Sequence, residues 1–438
     1  MTTAVTIRGT DISLEGLDLD RARRRIRSVL MIGQVLAGLG MGATLSVGAI
    51  LATELSGSAA WSGSAATLVT LGAAMASFPL ARLAQASGRS WSLATGAWVA
   101  ALGAVVAIAS TVTTWFPLLL VGLLLIGTGT AVNLQARFAA TDVSSDEHRA
   151  TDLSLVVWAT TVGAVSGPNL IGPGDALGLW MGLPMYAGPF VMTAVAQFLA
   201  GVLYRIWLRP EPLSVAKAIA SAGPVLSAED IAGSDRPRDR ATAFVSIALS
   251  HATMVAVMAM TPVHLVDHGA SLVIVGFTIS LHIAGMFALS PLFGLLADKV
   301  GRIQTILFGQ LMLAVSLFAT GFGAESEGWV IAGLILLGTG WSAATVAGSA
   351  LLTESTPVES RTKVQGLSDV VMSAAGATGG ALSGVVLFLV GYSGLSFVTL
   401  ALVAAVVVQI MVGSRATRRS DGGRDASLDD VSGKQGTQ

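Results

Sequence analysis

The sequence predicts an all-α membrane protein of twelve transmembrane helices, arranged as two pseudo-symmetric six-helix bundles. Three observations support this fold class. Of the 438 residues, 53% are hydrophobic and 12% are charged, which is about half the charged fraction of a soluble domain. Twelve apolar segments are long enough to cross a bilayer. The two halves of the chain also carry related short motifs in the same order.

The twelve predicted spans have the length of about 20 residues that the hydrocarbon core requires. They cover residues 28–53, 62–84, 91–113, 116–139, 152–174, 184–208, 241–265, 272–296, 303–323, 328–352, 365–391 and 393–413. The chain is thereby divided into an N-terminal tail (1–26), a first bundle (27–208), a linker (209–240), a second bundle (241–413) and a disordered C-terminal tail (414–438). The long polar lead before the first apolar segment is not typical of a cleavable signal peptide.

The distribution of charge predicts the orientation. The 25 Lys and Arg residues fall in the two tails, in every second connection or at the adjoining helix ends. The positive-inside rule therefore places both termini in the cytoplasm. The net charge of −1 indicates no nucleic-acid partner, and the absence of cysteine excludes disulfides and thiolate metal sites. We expect a monomeric, multi-pass protein of a bacterial inner (plasma) membrane, with no enzymatic activity and no resident cofactor.

Three motifs of the first half recur in the second half at offsets of 211 to 213 residues. Gly127-Thr128-Gly129 recurs as Gly338-Thr339-Gly340, Asp142 and Arg149 correspond to Glu354 and Arg361, and Gly88-Arg89 corresponds to Gly301-Arg302. Near-equal offsets in the same order indicate an internal duplication, which is common in membrane transporters.

The connection between spans 8 and 9 reads Gly294-Leu-Leu-Ala-Asp298-Lys299-Val-Gly301-Arg302. It resembles the signature loop of the major facilitator superfamily, in which glycine lets helices touch while aspartate and arginine make cytoplasmic gate contacts. The equivalent loop between spans 2 and 3 retains Gly88 and Arg89 but has Gln85 in place of the aspartate. The resemblance implies the major facilitator fold and a transporter that alternates between two open states.

Span 5 carries Gly163, Gly167, Pro168 and Gly172. This pattern resembles a motif of drug–proton exporters. It is also a small-residue face with a proline kink, which would let helices pack closely and slide. We favour the packing role.

Few polar residues lie within the spans, and none near the middle of a span is a carboxylate. Proton-coupled drug exporters usually need a buried carboxylate in the first half, so its absence disfavours that function. Arg137 lies about one turn from the cytoplasmic end of span 4, where we expect it to pair with Asp142 or to snorkel. Contact with an anion is the alternative.

Two pairs of side chains in spans 7 and 8 have the chemistry of metal ligands. Met254 and Met258 are spaced i, i+4, as are His282 and Met286, so each pair shares one helix face. Thioether and imidazole groups suit cuprous ion. Both pairs are expected at similar depth on antiparallel neighbours. His251 shares the face of the methionine pair (i, i+3, i+7) and is a further candidate metal ligand that could extend the path inward.

At the outer end of span 7, His264, Asp267 and His268 form an i, i+3, i+4 cluster. The cluster could capture a metal ion before it enters the transporter. It could equally be a solvated turn, and the sequence leaves both readings open.

The paired MxxxM and HxxxM patterns resemble those of the CcoA-like (CalT) copper importers, a subgroup of the major facilitators. The resemblance implies uptake of copper as the transported substrate, with the four side chains of spans 7 and 8 as its ligands. Relatives within that group carry other cargo, riboflavin among them. Import of an organic nutrient such as riboflavin is therefore the first alternative, and proton-coupled drug export the second.

Overall fold

The computed structural model describes residues 5–7, 10–12, 18–58, 61, 64–145, 147–166, 171–222 and 235–434. A short antiparallel hairpin of β1 (Val5–Ile7) and β2 (Thr10–Ile12) pairs Thr6 with Asp11. Helices make up nearly all of the other described residues.

Seven helices form the first half of the chain. They are α1 (Leu19–Ser56), α2 (Ser64–Ser87), α3 (Arg89–Thr113), α4 (Phe116–Thr141), α5 (Arg149–Ser166), α6 (Ile171–Trp180) and α7 (Ala187–Trp207). Together α5 and α6 supply span 5. Helix α1 begins earlier than expected because the carboxylate of Asp18 caps it, accepting from the backbone N–H of Arg21 at 3.0 Å. The arginines assigned to the tail from the sequence therefore form its first turns.

The linker and the second half supply seven more helices. They are α8 (Pro212–Ala222), α9 (Pro237–Asp267), α10 (Leu272–Phe287), α11 (Ser290–Lys299), α12 (Arg302–Phe322), α13 (Glu327–Glu354) and α14 (Val358–Lys434). Proline stands in the first turn of α4, α9 and α11, where its missing N–H leaves no intrahelical bond unmade.

Two helix breaks follow from single residues. Span 8, expected as one helix, is divided into α10 and α11 because Pro291 cannot donate to the preceding turn. Helix α14 turns sharply at Gly391, whose φ of 71° and ψ of −178° suit glycine. This break separates spans 11 and 12 at the predicted place.

The C-terminal tail differs from expectation. Helix α14 continues to Lys434, so residues 414–434, predicted to be disordered, have a helical backbone. No proline follows residue 413, so nothing in the local sequence removes a backbone donor from the helix.

Nine helical segments of the described residues are long and apolar enough to cross a membrane. One of them, Val358–Val412, spans 55 residues and provides two crossings either side of Gly391. Helix α1 and the α5–α6 pair account for the remaining two spans. The twelve-helix fold class is confirmed.

The two halves meet at the end of the bundle that carries Arg89, Arg149, Arg302 and Arg361, which we call the basic end. There an apolar cluster joins Phe138, Ala150 and Leu153 of the first half to residues of the second half, among them Ala297 and Leu352. All five side chains are at most 1% exposed. The structure is therefore closed at its basic end.

Candidate functional site

The predicted gate loop forms a contact between the two halves. The carboxylate of Asp298, in the last turn of α11, accepts hydrogen bonds from the backbone N–H groups of Ala150 (3.1 Å) and Thr151 (2.8 Å) at the start of α5. An anionic acceptor at a helix N-terminus satisfies donors that lack intrahelical partners and complements the helix dipole. Asp298 thus caps a helix of the opposite half.

Arginine–carboxylate pairs repeat this gate in both halves. Arg302 donates to Glu354 at 3.0 Å and 2.6 Å and also pairs with Asp298. Its counterpart Arg89 donates to Asp142 at 2.8 Å. Both pairings join residues that the internal repeat relates, so the duplication seen in the sequence extends to the side-chain contacts.

The glycines of the two loops serve two physical needs. Gly88 and Gly301 have φ of 92° and 122°, which glycine adopts without strain. Gly294 permits close approach, because a Cβ there would lie 2.1 Å from Ser154 Oγ and 2.7 Å from the carbonyl oxygen of Ala150. Lys299 is exposed.

A half-buried carboxylate that the sequence did not single out caps α3. Glu211 accepts from the backbone N–H groups of Arg89 (2.5 Å) and Ser90 (3.2 Å). Burial raises the pKa of the Glu211 carboxyl, and these hydrogen bonds oppose the shift. Linker and first bundle are thereby joined at the basic end.

The expected pairing of Arg137 with Asp142 is not found. Its Nη2 lies 2.7 Å from Oδ1 of Asp369, and the two side chains are 2% and 0% exposed. Asp142 is occupied by Arg89. The pair joins α4 of the first half to α14 of the second, and Asp369 lies about 16 Å along its helix from Val358.

Asp369 belongs to a continuous face of α14. Gln365, Asp369, Met372 and Gly376 are spaced i, i+4, i+7 and i+11, which brings them onto one side of a helix. Gln365 accepts from Arg89 at 2.6 Å. Met372 Sδ lies 3.8 Å from the guanidinium that bonds Asp369. We call these four residues the α14 polar face.

His251 lies at the far end of the α14 polar face. A Cβ placed on Gly376 would lie 2.7 Å from His251 Nε2. The indole N–H of Trp341 donates to His251 Nδ1 at 3.0 Å, so Nε2 carries the proton of the neutral ring and can donate. Metal binding by His251 stays a prediction. Trp341 also packs edge-on against Phe287 of α10.

His282 is fully buried and has a defined tautomer. Its Nδ1 lies 2.8 Å from the carbonyl oxygen of Leu334. Because a carbonyl oxygen only accepts, Nδ1 carries the proton and Nε2 presents a lone pair. No partner for that Nε2 occurs among the described residues. A Cβ on Gly338 would lie 2.4 Å from the His282 carbonyl oxygen, so α10 and α13 approach closely here.

The three candidate methionine ligands pack in one apolar cluster. Met254 is 3% exposed and forms part of its core, together with Leu334, and the half-buried Met258 and Met286 pack against it. His282 is tied to the same cluster through its bond to Leu334. Whether the four side chains ligate one ion stays a prediction.

The outer cluster is already engaged in structural contacts. His264 Nε2 donates to the carbonyl oxygen of Ala324 at 2.7 Å, and its ring stacks on Tyr392. His268 Nδ1 lies 2.9 Å from the carbonyl oxygen of His264, and Asp267 is exposed. Within the described part of the chain, no three His, Asp or Glu side chains are grouped as a metal site. Metal capture here stays a prediction.

The small-residue motif of span 5 makes a helix contact at its first glycine. A Cβ on Gly163 would lie 2.5 Å from the carbonyl oxygen of Val35 and 2.6 Å from Cα of Gly38. A Cβ on Gly172 would meet nothing within 4 Å. Gly167 and Pro168 lie outside the described residues.

Two related bundles, closed at one end by paired arginines and carboxylates, define a membrane transporter. The chain belongs to the Major Facilitator Superfamily, whose family model matches residues 30–236 and 242–432. It is a multi-pass secondary transporter, and members of this family carry small-molecule substrates.

Two curated proteins and one solved structure illustrate the relationship. The MFS-type transporter YddS of Bacillus subtilis is 40% identical over 380 residues, which cover 85% of this chain and 87% of that protein. The riboflavin transporter RfnT of Brucella anthropi is 29% identical over 400 residues, covering 90% and 97%. The human organic anion transporter MFSD10 superposes with a TM-score of 0.67 at 15% identity, covering 88% and 99%, and so shares the fold.

Proposed function

We propose that this transporter imports copper across a bacterial plasma membrane, with its basic end in the cytoplasm. In this proposal Met254, Met258, His282 and Met286 hold the ion inside the second bundle. The observation that carries the proposal is the buried imidazole of His282, whose Nε2 lone pair has no partner among the described residues.

The surroundings of His282 support this proposal. Such residues usually donate their second ring N–H to a carbonyl or a carboxylate, which holds the ring orientation and tautomer. Leu334 supplies that carbonyl here. Leaving a buried nitrogen unpaired costs free energy, and a ligand at Nε2 would remove this cost.

The methionines supply the softer ligands. Thioether sulfur binds Cu(I) without deprotonation and disfavours zinc, manganese and magnesium. Three such side chains pack in or against one cluster, which also contains the carbonyl donor of His282. A site without thiolate binds copper more weakly than a cysteine site, which suits a carrier that must release its cargo.

The gate contacts supply the conformational step. In the closed arrangement, Asp298 caps α5 while Arg137 and Asp369 join the halves. Copper enters from the end opposite the basic end and reaches the site in α9 and α10. Rocking of the bundles then breaks these cross-half contacts, and the ion leaves past His251 into the cytoplasm.

An organic nutrient of the riboflavin class is the second candidate. RfnT, which is 29% identical over 90% of this chain, is a riboflavin transporter. Aromatic side chains support this alternative, since Trp341 packs against Phe287 and Trp158 is 37% exposed. A flavin ring would stack on such groups.

Uptake measured in cells separates the two candidates. Cells expressing the wild-type protein are assayed for radioactive copper and, in parallel, for labelled riboflavin. We expect copper uptake above background, and its loss in the His282→Ala variant and in the paired Met258→Ala, Met286→Ala variant. Met75→Ala is the matched control, because Met75 is 60% exposed on α2.

Riboflavin uptake without copper uptake would overturn the copper proposal in favour of the second candidate. Equal copper uptake by the wild type and both site variants, with similar amounts of protein in the membrane, would show that the four residues do not carry the ion.

A further inference from the structure

The ion pair of Arg137 and Asp369 is the one arginine–carboxylate pair, among the described side chains, that joins the two halves at under 5% exposure on both sides. Each partner has an unused polar atom. Arg137 Nε and Asp369 Oδ2 are buried with no hydrogen-bond partner among the described residues. Removing one charge from a buried ion pair strongly destabilises the contact. Because the hydrogen bonds of this pair are incomplete, loss of one charge is expected to separate the two side chains.

We propose that Asp369 is the proton-binding site that couples transport to protons, with Asp369 Oδ2 as the atom that takes the proton. Binding of H⁺ converts the carboxylate to a neutral carboxylic acid, while Arg137 remains a cation. The electrostatic attraction between the halves is then lost, and the basic end opens. The proton leaves to the newly accessible side, the carboxylate re-forms, and the pair closes again.

The groups around Asp369 fit this role. The positive charges that act on it are those of Arg137 on α4 and Arg89 on α3. His251 on α9 lies within electrostatic range of Arg137. Where α2 meets this part of α14, the neighbours are the uncharged Ser77 and Ala81, beside Gly366. Arg137 is thus the direct ion-pair partner of Asp369, and protonation of Asp369 would break this contact.

The α14 polar face extends from Asp369 in both directions. His251 is half-buried at one end of this face, beside Gly376. Gln365 lies at the other end, bonded to Arg89 at the basic end. One or two helical turns separate Asp369 from each end. In this proposal the proton arrives at Asp369 from the side of His251 and leaves through the basic end, which makes the coupling a symport.

This inference rests on the transport function and is independent of the cargo. Its test accordingly uses no cargo and follows the opening of the basic end alone. The chain contains no cysteine, so one introduced cysteine is a unique reporter for a maleimide probe. Ser154 is 0% exposed and accepts, through its carbonyl oxygen, a hydrogen bond from Ser290 of the other half. Ser154→Cys therefore reports whether the halves have separated.

The purified full-length Ser154→Cys protein is labelled at about pH 5.5 and about pH 7.5, which bracket the range in which a buried carboxyl commonly titrates. Because maleimide reacts with the thiolate, whose fraction falls with pH, each rate is divided by the rate of the same protein unfolded in denaturant at the same pH. We expect this normalised rate to be about tenfold higher at the lower pH, the change that loss of roughly 1.4 kcal/mol of charge-assisted contact produces. Adding Asp369→Asn should make labelling fast at both values. Asp152→Asn is the matched control, because Asp152 pairs with Arg27 inside the first half, and it should leave the pH response unchanged.

A second reporter separates gating from unfolding. Ser92 is also 0% exposed, but its hydroxyl donates to the Leu80 carbonyl within the first half. Ser92→Cys should label slowly at both pH values. If Asp369→Asn does not fold, the Arg137→Gln, Asp369→Asn double variant removes both charges and should label fast without pH dependence. Equal normalised labelling of Ser154→Cys at both pH values, or a pH dependence of the normalised rate that persists without Asp369, would overturn the proposal. Copper uptake can fail without changing these outcomes.

Discussion

The carboxylate of Asp298 accepts two hydrogen bonds from Thr151 of the opposite half, one from its backbone N–H at 2.8 Å and one from its hydroxyl at 2.5 Å. A residue of the second bundle therefore supplies the N-terminal cap of a helix of the first. When the halves separate, that helix loses its cap. Stability of α5 and closure of the transporter are thus coupled through one side chain.

Replacement of Asp298 by alanine should favour the state in which the basic end is open. Loss of a helix cap costs about 1 kcal/mol, and Arg302 also loses one of its two carboxylate partners. Labelling of the Ser154→Cys reporter should become roughly fivefold faster at neutral pH. Lys299→Ala, an exposed neighbour, is the control. Unchanged labelling would show that Asp298 does not hold the gate.

Substitution of Gly294 by valine should prevent closure of the basic end. Its Cβ would lie 2.1 Å from Ser154 Oγ and 2.7 Å from a backbone oxygen, and the backbone cannot yield as a side chain can. Cellular uptake should fall to background while the protein still reaches the membrane. Gly276→Ala, in the same predicted span, meets nothing within 4 Å and should retain uptake. Normal uptake by Gly294→Val would contradict the close approach of α11 and α5.

The two repeat-related ion pairs should differ in their effect on stability. Both side chains of Arg89 and Asp142 are at most 1% exposed, whereas those of Arg302 and Glu354 are 11% and 17% exposed. Removing one partner of a buried pair costs about 3–5 kcal/mol, and a more exposed pair contributes about 1 kcal/mol or less. Asp142→Asn should therefore lower the unfolding temperature in detergent more than Glu354→Gln does. The reverse order would contradict the burial of the first pair.

Gly163→Val should destabilise the first bundle without a specific effect on transport chemistry. The added side chain would collide with backbone atoms of Val35 and Gly38 on α1. We expect less folded protein and an earlier thermal transition, whereas Gly172→Ala should behave as wild type because its surroundings are open. A stable Gly163→Val protein with altered substrate preference would instead support a role of this motif in transport.

Much of the fold could be predicted because it follows from local physics. Apolar length defined the spans, including the boundary between spans 11 and 12 at which the helix breaks, and the duplicated loops defined where the halves meet. The chemistry of the Asp298 loop was readable because its glycines and charges lie close together in sequence.

The cross-half contacts could not be predicted in this way. Arg137 and Asp369 are 232 residues apart, and their pairing depends on how two bundles dock. From spacing alone, Asp142 was the nearer carboxylate for Arg137, but Arg89 already occupies it. The partner of His282 is a main-chain carbonyl, which no side-chain pattern reveals.

Direct binding of Cu(I) to the purified protein tests the central claim most directly. The protein is titrated against a chromogenic Cu(I) chelator under reducing conditions, and the ion retained by the protein is measured. We predict one Cu(I) per chain for the wild type and for Met75→Ala, and loss of that ion in His282→Ala. Absence of retained copper in the wild type, or equal retention by His282→Ala, would contradict the account.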